Sequence, residues 1–198
     1  RPQAASNLLT IGQSEEASLG IMLVSAVSLA AQLHFTTEMN PDQSPFVILD
    51  GTSVDSPFAG VLSQVADLLP TPPRILGRRC ESEAVAGLAA EVNRRLSSCD
   101  GATASPRFFL IHGLQYFRDL RRPEESISVR RPGENPATQP WKQLLTILRD
   151  GPPVGIYTII WCDSVSNLNR VIDRTALREF EMRVVLQMNN TDSIALID

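Results

Sequence analysis

The chain has 198 residues, of which 43% are hydrophobic, and its formal net charge is −4. No apolar run approaches the roughly eighteen residues that a membrane-spanning helix needs, so composition favours a water-soluble domain. A negative net charge gives the domain as a whole no electrostatic attraction to nucleic acid, and any such contact must be local.

Hydrophobic periodicity and turn residues predict strands and helices in alternation. Strands are predicted at residues 7–12, 46–51, 74–77, 107–113, 155–163 and 182–188. Helices are predicted at residues 18–34, 58–69, 81–98, 141–149 and 168–180. Long apolar strands that alternate with helices and lack two-residue hairpin turns indicate parallel strands joined by crossover helices, which is an α/β layered sheet.

One irregular segment, residues 118–140, interrupts this alternation. It is charged, contains proline and glycine, and has no apolar pattern for a core element, so we expect a flexible loop. Its local positive run predicts contact with DNA or an acidic partner through Arg118, Arg121, Arg122, Arg130 and Arg131. Because glutamates dilute this run and no aromatic ladder accompanies it, a solvated loop is the alternative.

Cysteine and histidine usage is sparse. The three cysteines are an odd number without C-x-x-C spacing, and there are two histidines. This pattern argues against a disulfide framework and a zinc site, and it favours a reducing cytoplasm. We therefore predict no metal site.

The turn after the first strand has the layout of a phosphate-binding loop, in which backbone N–H groups, a lysine and a magnesium-binding hydroxyl hold a triphosphate. Laying G-x-x-x-x-G-K-[ST] on the sequence places Gly12 first, followed by Gln13, Ser14, Glu15 and Glu16. The second glycine, the lysine and the hydroxyl then correspond to Ala17, Ser18 and Leu19. Three of the four defining residues are missing, which predicts a degenerate loop.

Two carboxylates, Glu15 and Glu16, lie where anionic phosphate oxygens would approach. At about 4 Å and an effective dielectric constant near 20, each like-charge contact would cost roughly 4 kcal/mol. Triphosphate binding in the usual pose is therefore expected to be unfavourable. The alternative is an ordinary strand–turn–helix in which Ser14 and the two glutamates cap and charge a helix start.

Four further stretches follow one another in a family-like order. They are FVILDG, which ends at Asp50; GLAAEVNRRL, with Glu91, Arg94 and Arg95; LLTILRDGPPVGIYTII; and MRVVLQMNNTDSIALID. In order and spacing they resemble the motor domain of FtsK/SpoIIIE-type DNA translocases over nearly the full length. The resemblance implies a RecA-like P-loop NTPase fold, a three-layer αβα sandwich with a mainly parallel central sheet. It also implies one domain, residues 1–198, excised from a longer multidomain chain.

The resemblance aligns the family's catalytic positions with unsuitable side chains. The magnesium-binding aspartate and the catalytic glutamate of the Walker B strand correspond to His112 and Gly113, and the sensor glutamine corresponds to Asp163. Histidine is a poor magnesium ligand, and glycine has no side chain to polarise the attacking water. Asp163 would add negative charge near a γ-phosphate. No catalytic residue is therefore predicted, and the enzyme prediction leans towards inactivity.

Together these departures imply a degenerate, non-hydrolysing domain with an assembly, regulatory or partner-binding role in a translocase, and no cofactor. The expected partners are neighbouring ATPase domains of the same or another chain in an oligomer, and DNA or a secreted peptide. The expected location is cytoplasmic, with no direct membrane contact by this domain and a membrane tether only through flanking regions.

Three other functions remain open. One is an ATP-dependent DNA translocase module, which would require ATP and Mg²⁺. Another is a substrate-peptide-binding, ATPase-like module of a type VII secretion-type motor. The last is a repurposed acid/base site, because Asp50, His112 and Asp163 stand at strand ends, where open α/β sheets bind ligands.

Overall fold

The computed structural model describes residues 6–33, 44–98, 104–123 and 139–197. The strands are β1 (Leu8–Ile11), β2 (Phe46–Asp50), β3 (Arg74–Leu76), β4 (Arg107–His112), β5 (Ile156–Cys162) and β6 (Met182–Val185). The α-helices are α1 (Glu15–Gln32), α2 (Val61–Ala66), α3 (Glu81–Ser97), α4 (Pro140–Asp150), α5 (Val165–Asn169) and α6 (Asn190–Ile197).

The strands form one sheet in the order β3-β2-β4-β5-β1-β6, and every ladder between them is parallel. The carboxyl ends of the strands therefore meet at one edge, where this class of sheet binds ligands. The register places His112 opposite Asp50 on one side and opposite Trp161 on the other. The predicted parallel sheet is confirmed.

Helices cover both faces of the sheet. On one face α1 and α2 bury Leu19, Met22 and Leu62 against Phe46 and Trp161. On the other face a larger cluster joins α3 and α4 to the opposite sides of the strands. Burying one such aliphatic or aromatic side chain contributes about 2 kcal/mol, so the two clusters hold the layers together. The result is the three-layer αβα sandwich of the RecA-like P-loop class, as predicted.

Several predicted helix limits are wrong. α1 begins at Glu15 and not at residue 18, because the Ser14 side chain caps the helix by accepting from the Ala17 N–H group. α2 covers only Val61–Ala66, and it starts after Gly60, which has a left-handed φ of 79°. The helix predicted at residues 18–34 includes residue 34, which lies outside the described residues.

The single helix predicted at residues 168–180 is also wrong. α5 ends at Asn169, and a separate 3₁₀ turn covers Ala176–Glu179. The carboxylate of Asp173 accepts the Ala176 N–H group at 2.8 Å and so fixes the start of this 3₁₀ turn. α6 was not predicted because its first turn is polar, although the Asn189 side chain caps it by accepting from the Asp192 N–H group at 2.8 Å.

The charged segment predicted as a loop at residues 118–140 is structured where it is described. Arg118–Leu120 form a 3₁₀ turn, and the Leu120 side chain is fully buried. At the other end, α4 begins at Pro140. Residues 124–138, which include Arg130 and Arg131, lie outside the described residues.

Candidate functional site

The turn between β1 and α1 consists of Gly12, Gln13 and Ser14. The Ala17 N–H group donates to the Ser14 hydroxyl at 3.3 Å, and the Ser18 N–H group donates to the Ser14 carbonyl at 3.1 Å. In a phosphate loop, amides at these motif positions point at the bound anion. Here they are used within the helix, and the local geometry is that of an ordinary strand–turn–helix.

The two positions that should carry lysine and the magnesium hydroxyl point into the protein. Ser18 is 1% exposed, and its hydroxyl donates to the Glu15 carbonyl at 2.8 Å. Leu19 is 3% exposed and belongs to the core under α1. Neither side chain is available to a ligand at the turn.

Gly12 is required by packing. Its φ is +133°, and an added Cβ would lie 2.8 Å from the Cβ of Leu186. Its N–H group donates to the Cys162 carbonyl, and its carbonyl accepts from the Trp161 indole, both at 3.0 Å. The Gln13 N–H group in turn donates to the Gln187 carbonyl at 3.2 Å. Glycine is therefore required at this position because the end of β1 lies close to the ends of β5 and β6, and this requirement does not depend on a bound phosphate.

The two glutamates of the turn occupy the first turn of α1, where the helix dipole favours negative charge. Glu15 is half-buried and accepts from the Ser56 hydroxyl at 3.1 Å, which links α1 to the loop after β2. Glu16 is exposed. In the described ranges neither glutamate forms an ion pair, so their charge is not neutralised locally.

His112 ends β4 and is fully buried. Its Nδ1 is 3.2 Å from the Thr52 hydroxyl, and its ring lies 4.5 Å from the Trp161 ring. Burial lowers the pKa of His112 to about 4, against the opposing effect of the Asp50 carboxylate. The imidazole is therefore neutral at pH 7 and enclosed by aromatic and hydroxyl groups, an environment unsuited to a magnesium ligand.

Gly113 and Asp163 also have local roles. Gly113 has a φ of +81°, and an added Cβ would lie 2.7 Å from the Tyr116 ring. The Asp163 carboxylate accepts from the Ser164 hydroxyl at 2.9 Å and from the Asn167 side chain at 2.8 Å. Asp163 therefore organises the start of α5, where a local hydrogen-bond network of this kind is common.

The predicted acid/base residues are neighbours only in part. The register brings Asp50 and His112 side by side, and the Asp50 carboxylate accepts the Thr52 N–H group at 2.8 Å. Asp163 is engaged with α5, as above. In the described part of the chain no group of three histidine, cysteine or acidic side chains could hold a metal ion.

The predicted arginine run is divided by the fold. Arg122 forms an ion pair with Asp173 at 2.9 Å. Arg118 and Arg121 line an open pocket together with Arg78 and Arg79, which the sequence interpretation did not single out. The sequence signal that could have found Arg78 and Arg79 was their position as an adjacent basic pair just after a short predicted strand. Arg130 and Arg131 lie outside the described residues, and contact of this run with DNA or a partner stays a prediction.

Glu91, Arg94 and Arg95 of the family-like motif form a structural clamp. The Glu91 carboxylate accepts from both guanidinium groups at 2.7 Å, and bonds from Arg94 and then Arg95 lower the pKa of Glu91 to about 2. Arg95 is 5% exposed and also donates to the Val154 carbonyl at 3.0 Å. The motif therefore joins α3 to the turn before β5.

Among the described helices none is long and apolar enough to cross a membrane. Comparison with known protein families finds no matching family model, and no curated protein matches. Solved structures do match, and they define the class of the fold as that of RecA-like P-loop ATPase domains.

One of the matched structures is a type VII secretion ATPase. The cytoplasmic domain of the Thermomonospora curvata type VII secretion ATPase EccC aligns with a TM-score of 0.62 at 15% identity, covering 94% of this chain and 20% of that chain. The cytoplasmic domain of EssC aligns with a TM-score of 0.62 at 15% identity, covering 98% of this chain and 35% of that chain.

ATPases 2 and 3 of T. curvata EccC, in complex with a signal sequence peptide, align with a TM-score of 0.56 at 15% identity. That match covers 96% of this chain and 32% of the EccC chain. The chain thus spans between a fifth and about a third of the length of these proteins. At this identity the likeness establishes the fold.

Proposed function

We propose that this chain is a non-hydrolysing domain of an FtsK/SpoIIIE-type motor, with an assembly, regulatory or partner-binding role. The observation that carries the proposal is the use of Ser18 and Leu19 inside α1, since these are the positions of the lysine and the magnesium hydroxyl. Phosphoryl transfer depends almost entirely on positioning and electrostatic stabilisation, so loss of these groups removes its basis.

Two further sites support the same conclusion. The strand end that should bear magnesium and activate water carries a buried, neutral His112 and a glycine whose Cβ would meet Tyr116. The sensor position carries Asp163, which is bonded to the start of α5. The expected partners are neighbouring ATPase domains in cis or in trans, and the expected location is cytoplasmic, with any membrane tether in flanking sequence.

Titration calorimetry of the chain with Mg-ATP tests the proposal. We expect no saturable heat at millimolar nucleotide, and no phosphate release above the buffer rate. A double variant, Glu15→Gln with Glu16→Gln, separates charge repulsion from loop geometry. We expect it also to fail to bind, because the amides of Ala17 and Ser18 remain occupied within the helix. Saturable micromolar binding by the unmodified chain would revive the translocase alternative.

A second candidate is a peptide-binding module of a type VII secretion-type motor. It is favoured by two of the matched structures, a type VII secretion ATPase EccC and ATPases 2 and 3 of EccC in complex with a signal sequence peptide. Fluorescence anisotropy with labelled helical export-signal peptides tests it, using scrambled peptides of equal charge as controls. Saturable binding of the signal peptide alone would support this role, and equal binding of both peptides would contradict it.

A further inference from the structure

An open pocket of about 530 Å³ lies beside the carboxyl ends of β3 and β4. Its wall is formed by Arg78 and Arg79 after β3, by Glu81 at the start of α3, and by the 3₁₀ turns that follow β4. It shares no lining residue with the turn after β1. Occupancy of this pocket is therefore separable from nucleotide binding at the degenerate loop.

Four arginines line this pocket: Arg78, Arg79, Arg118 and Arg121. Two of them are held in place. Arg78 donates to the Gly51 carbonyl at 3.0 Å and lies 4.2 Å from the centre of the Tyr116 ring. Arg121 donates to the Gln115 carbonyl at 2.6 Å. Such anchoring reduces the rotamer entropy that a side chain loses when it binds an anion.

The other two arginines, Arg79 and Arg118, are exposed, and in the described part of the chain neither forms an ion pair. The pocket also holds two carboxyl groups, on Glu81 and Asp119, and the Asp119 carboxylate accepts the Ser82 hydroxyl at 2.8 Å. Four positive charges against at most two negative charges leave the pocket positive in a protein whose net charge is −4. The pocket therefore favours an anion.

Within the described ranges, two buried polar atoms in the wall have no hydrogen-bond partner. Gln115 is 6% exposed, and its Oε1 accepts the Asp163 N–H group at 3.3 Å, but its Nε2 donates to no described residue. Glu81 is 4% exposed, and its Oε2 accepts from no described residue. Burial and the nearby Asp119 carboxylate raise the pKa of Glu81. Unpaired buried groups are costly, so one free donor and one free acceptor together point to a ligand that supplies both partners.

We propose that this pocket binds a phosphate group that carries a proton. Its unprotonated oxygens accept from the arginines and from Gln115 Nε2, and its P–OH group donates to Glu81 Oε2. Guanidinium groups suit such an anion because they offer paired, planar donors. The same chemistry is present in inorganic phosphate and in a terminal phosphate monoester. Sulfate has a similar size and shape but no proton to donate at neutral pH.

Titration calorimetry of the full chain at pH 6.5 and constant ionic strength tests the site with three probes: inorganic phosphate, glycerol 3-phosphate and sulfate. We expect saturable binding of phosphate and at least about tenfold weaker binding of sulfate, equivalent to about one lost hydrogen bond. If glycerol 3-phosphate binds with comparable affinity, the pocket accepts phosphate monoesters. If glycerol 3-phosphate does not bind, the ligand is the free phosphate ion. Absence of saturable phosphate binding, or equal binding of phosphate and sulfate, overturns the proposal.

Variants of the lining arginines test whether phosphate binds in this pocket. Arg79→Gln and Arg118→Gln are each expected to weaken phosphate binding at least about fivefold, because each removes a charge-assisted donor. Arg174→Gln is the matched control, since Arg174 is exposed and does not line the pocket. An equal loss in the control would show general charge attraction and overturn the site.

Glu81→Gln tests the role of the proton. The variant replaces the carboxylate by an amide, which can donate to sulfate, so we expect the preference for phosphate over sulfate to fall to about twofold or less. Circular dichroism before titration establishes that the variant is folded. If the folded variant keeps the full preference, the P–OH contact with Glu81 is wrong.

Discussion

At the scale of single residues, the side chains at the carboxyl edge of the sheet contact other parts of the protein, although Nε2 of His112 has no hydrogen-bond partner in the described ranges. His112 is paired with Thr52 and packed on Trp161, and Asp163 is bonded to α5. Ser18 and Leu19 belong to the inner side of α1. These four positions, which would serve a nucleotide in a working P-loop ATPase, therefore each have a structural role here.

The buried imidazole predicts a specific pH dependence. The unfolded chain takes up a proton at His112 as the pH falls below 6.5, whereas the folded chain does so only near 4. Stability is therefore lost between pH 6.5 and 4, at up to about 1.4 kcal/mol per pH unit from this group. Urea unfolding across this window should show a shallower loss for His112→Asn, whose amide can still bond to Thr52. Equal slopes in both proteins would contradict the assignment.

Gly12 and Gly20 form a matched pair for substitution by alanine. At Gly12 the new Cβ would lie 2.8 Å from the Leu186 Cβ at a φ of +133°, so we expect a loss of about 2 kcal/mol or more. Gly20 lies within α1, and outside its own helix backbone no atom of the described residues lies within 4 Å of the added Cβ, so alanine there should stabilise by up to about 1 kcal/mol. Thermal unfolding of both variants measures the two effects. A loss at Gly12 alone indicates a local packing requirement, whereas a similar loss at Gly20 would contradict it.

At the scale of elements, α3 is fixed to the rest of the sandwich by the clamp of Glu91, Arg94 and Arg95. The low pKa of Glu91 means that its contribution to stability is present above pH 4.5 and is lost as the pH falls towards 2. The buried Arg95 reaches beyond the helix to the Val154 carbonyl, whereas Arg94 is exposed. The two arginines therefore share one partner but have different structural roles.

We expect Arg95→Met to destabilise the domain by about 3 kcal/mol, because Val154 and Glu91 each lose a buried donor. Arg94→Met is the control: it removes an exposed donor to the same glutamate, so we expect a smaller loss, of at most about 1 kcal/mol at neutral pH. Urea unfolding at pH 7 measures both. If the two variants lose the same amount, the contact with Val154 contributes nothing.

Helix limits show how far local patterns predict elements. The apolar strands and the amphipathic α3 and α4 were located from their periodicity, since it depends on the few residues that face the core. The break between α5 and the 3₁₀ turn was missed because it depends on Asp173, which bonds to Ala176. Helical periodicity continues across that point, so the sequence pattern does not show the break.

At the scale of the whole molecule, Asn7 joins segments that are distant in sequence. It is fully buried, and its side-chain amide donates to the carbonyls of Leu148 at 2.9 Å and Glu179 at 2.8 Å. Its Oδ1 accepts the Thr158 N–H group at 2.9 Å. One side chain therefore fastens the start of β1 to α4, to β5 and to the turn before β6.

Replacing Asn7 by alanine removes a hydrogen bond from each of three backbone groups, and we expect a loss of about 3 kcal/mol or more. The control is Asn93→Ala, since Asn93 is exposed in the middle of α3, and alanine there should be neutral or slightly stabilising. Equilibrium unfolding in urea measures both. A loss at Asn7 no greater than that at Asn93 would mean that the three bonds add nothing.

The sequence by itself determined the layered class, the parallel strands and most helices, because periodicity and turn residues act locally. It also showed that Ala17, Ser18 and Leu19 depart from the phosphate-loop motif. Only the tertiary structure decided that Gly12 is needed for packing against Leu186, that His112 is neutral, and that Arg78 and Arg79 share a pocket with Arg118 and Arg121. These features arise where strand ends and turns distant in sequence meet at one edge, a juxtaposition set by strand order, which no local pattern contains.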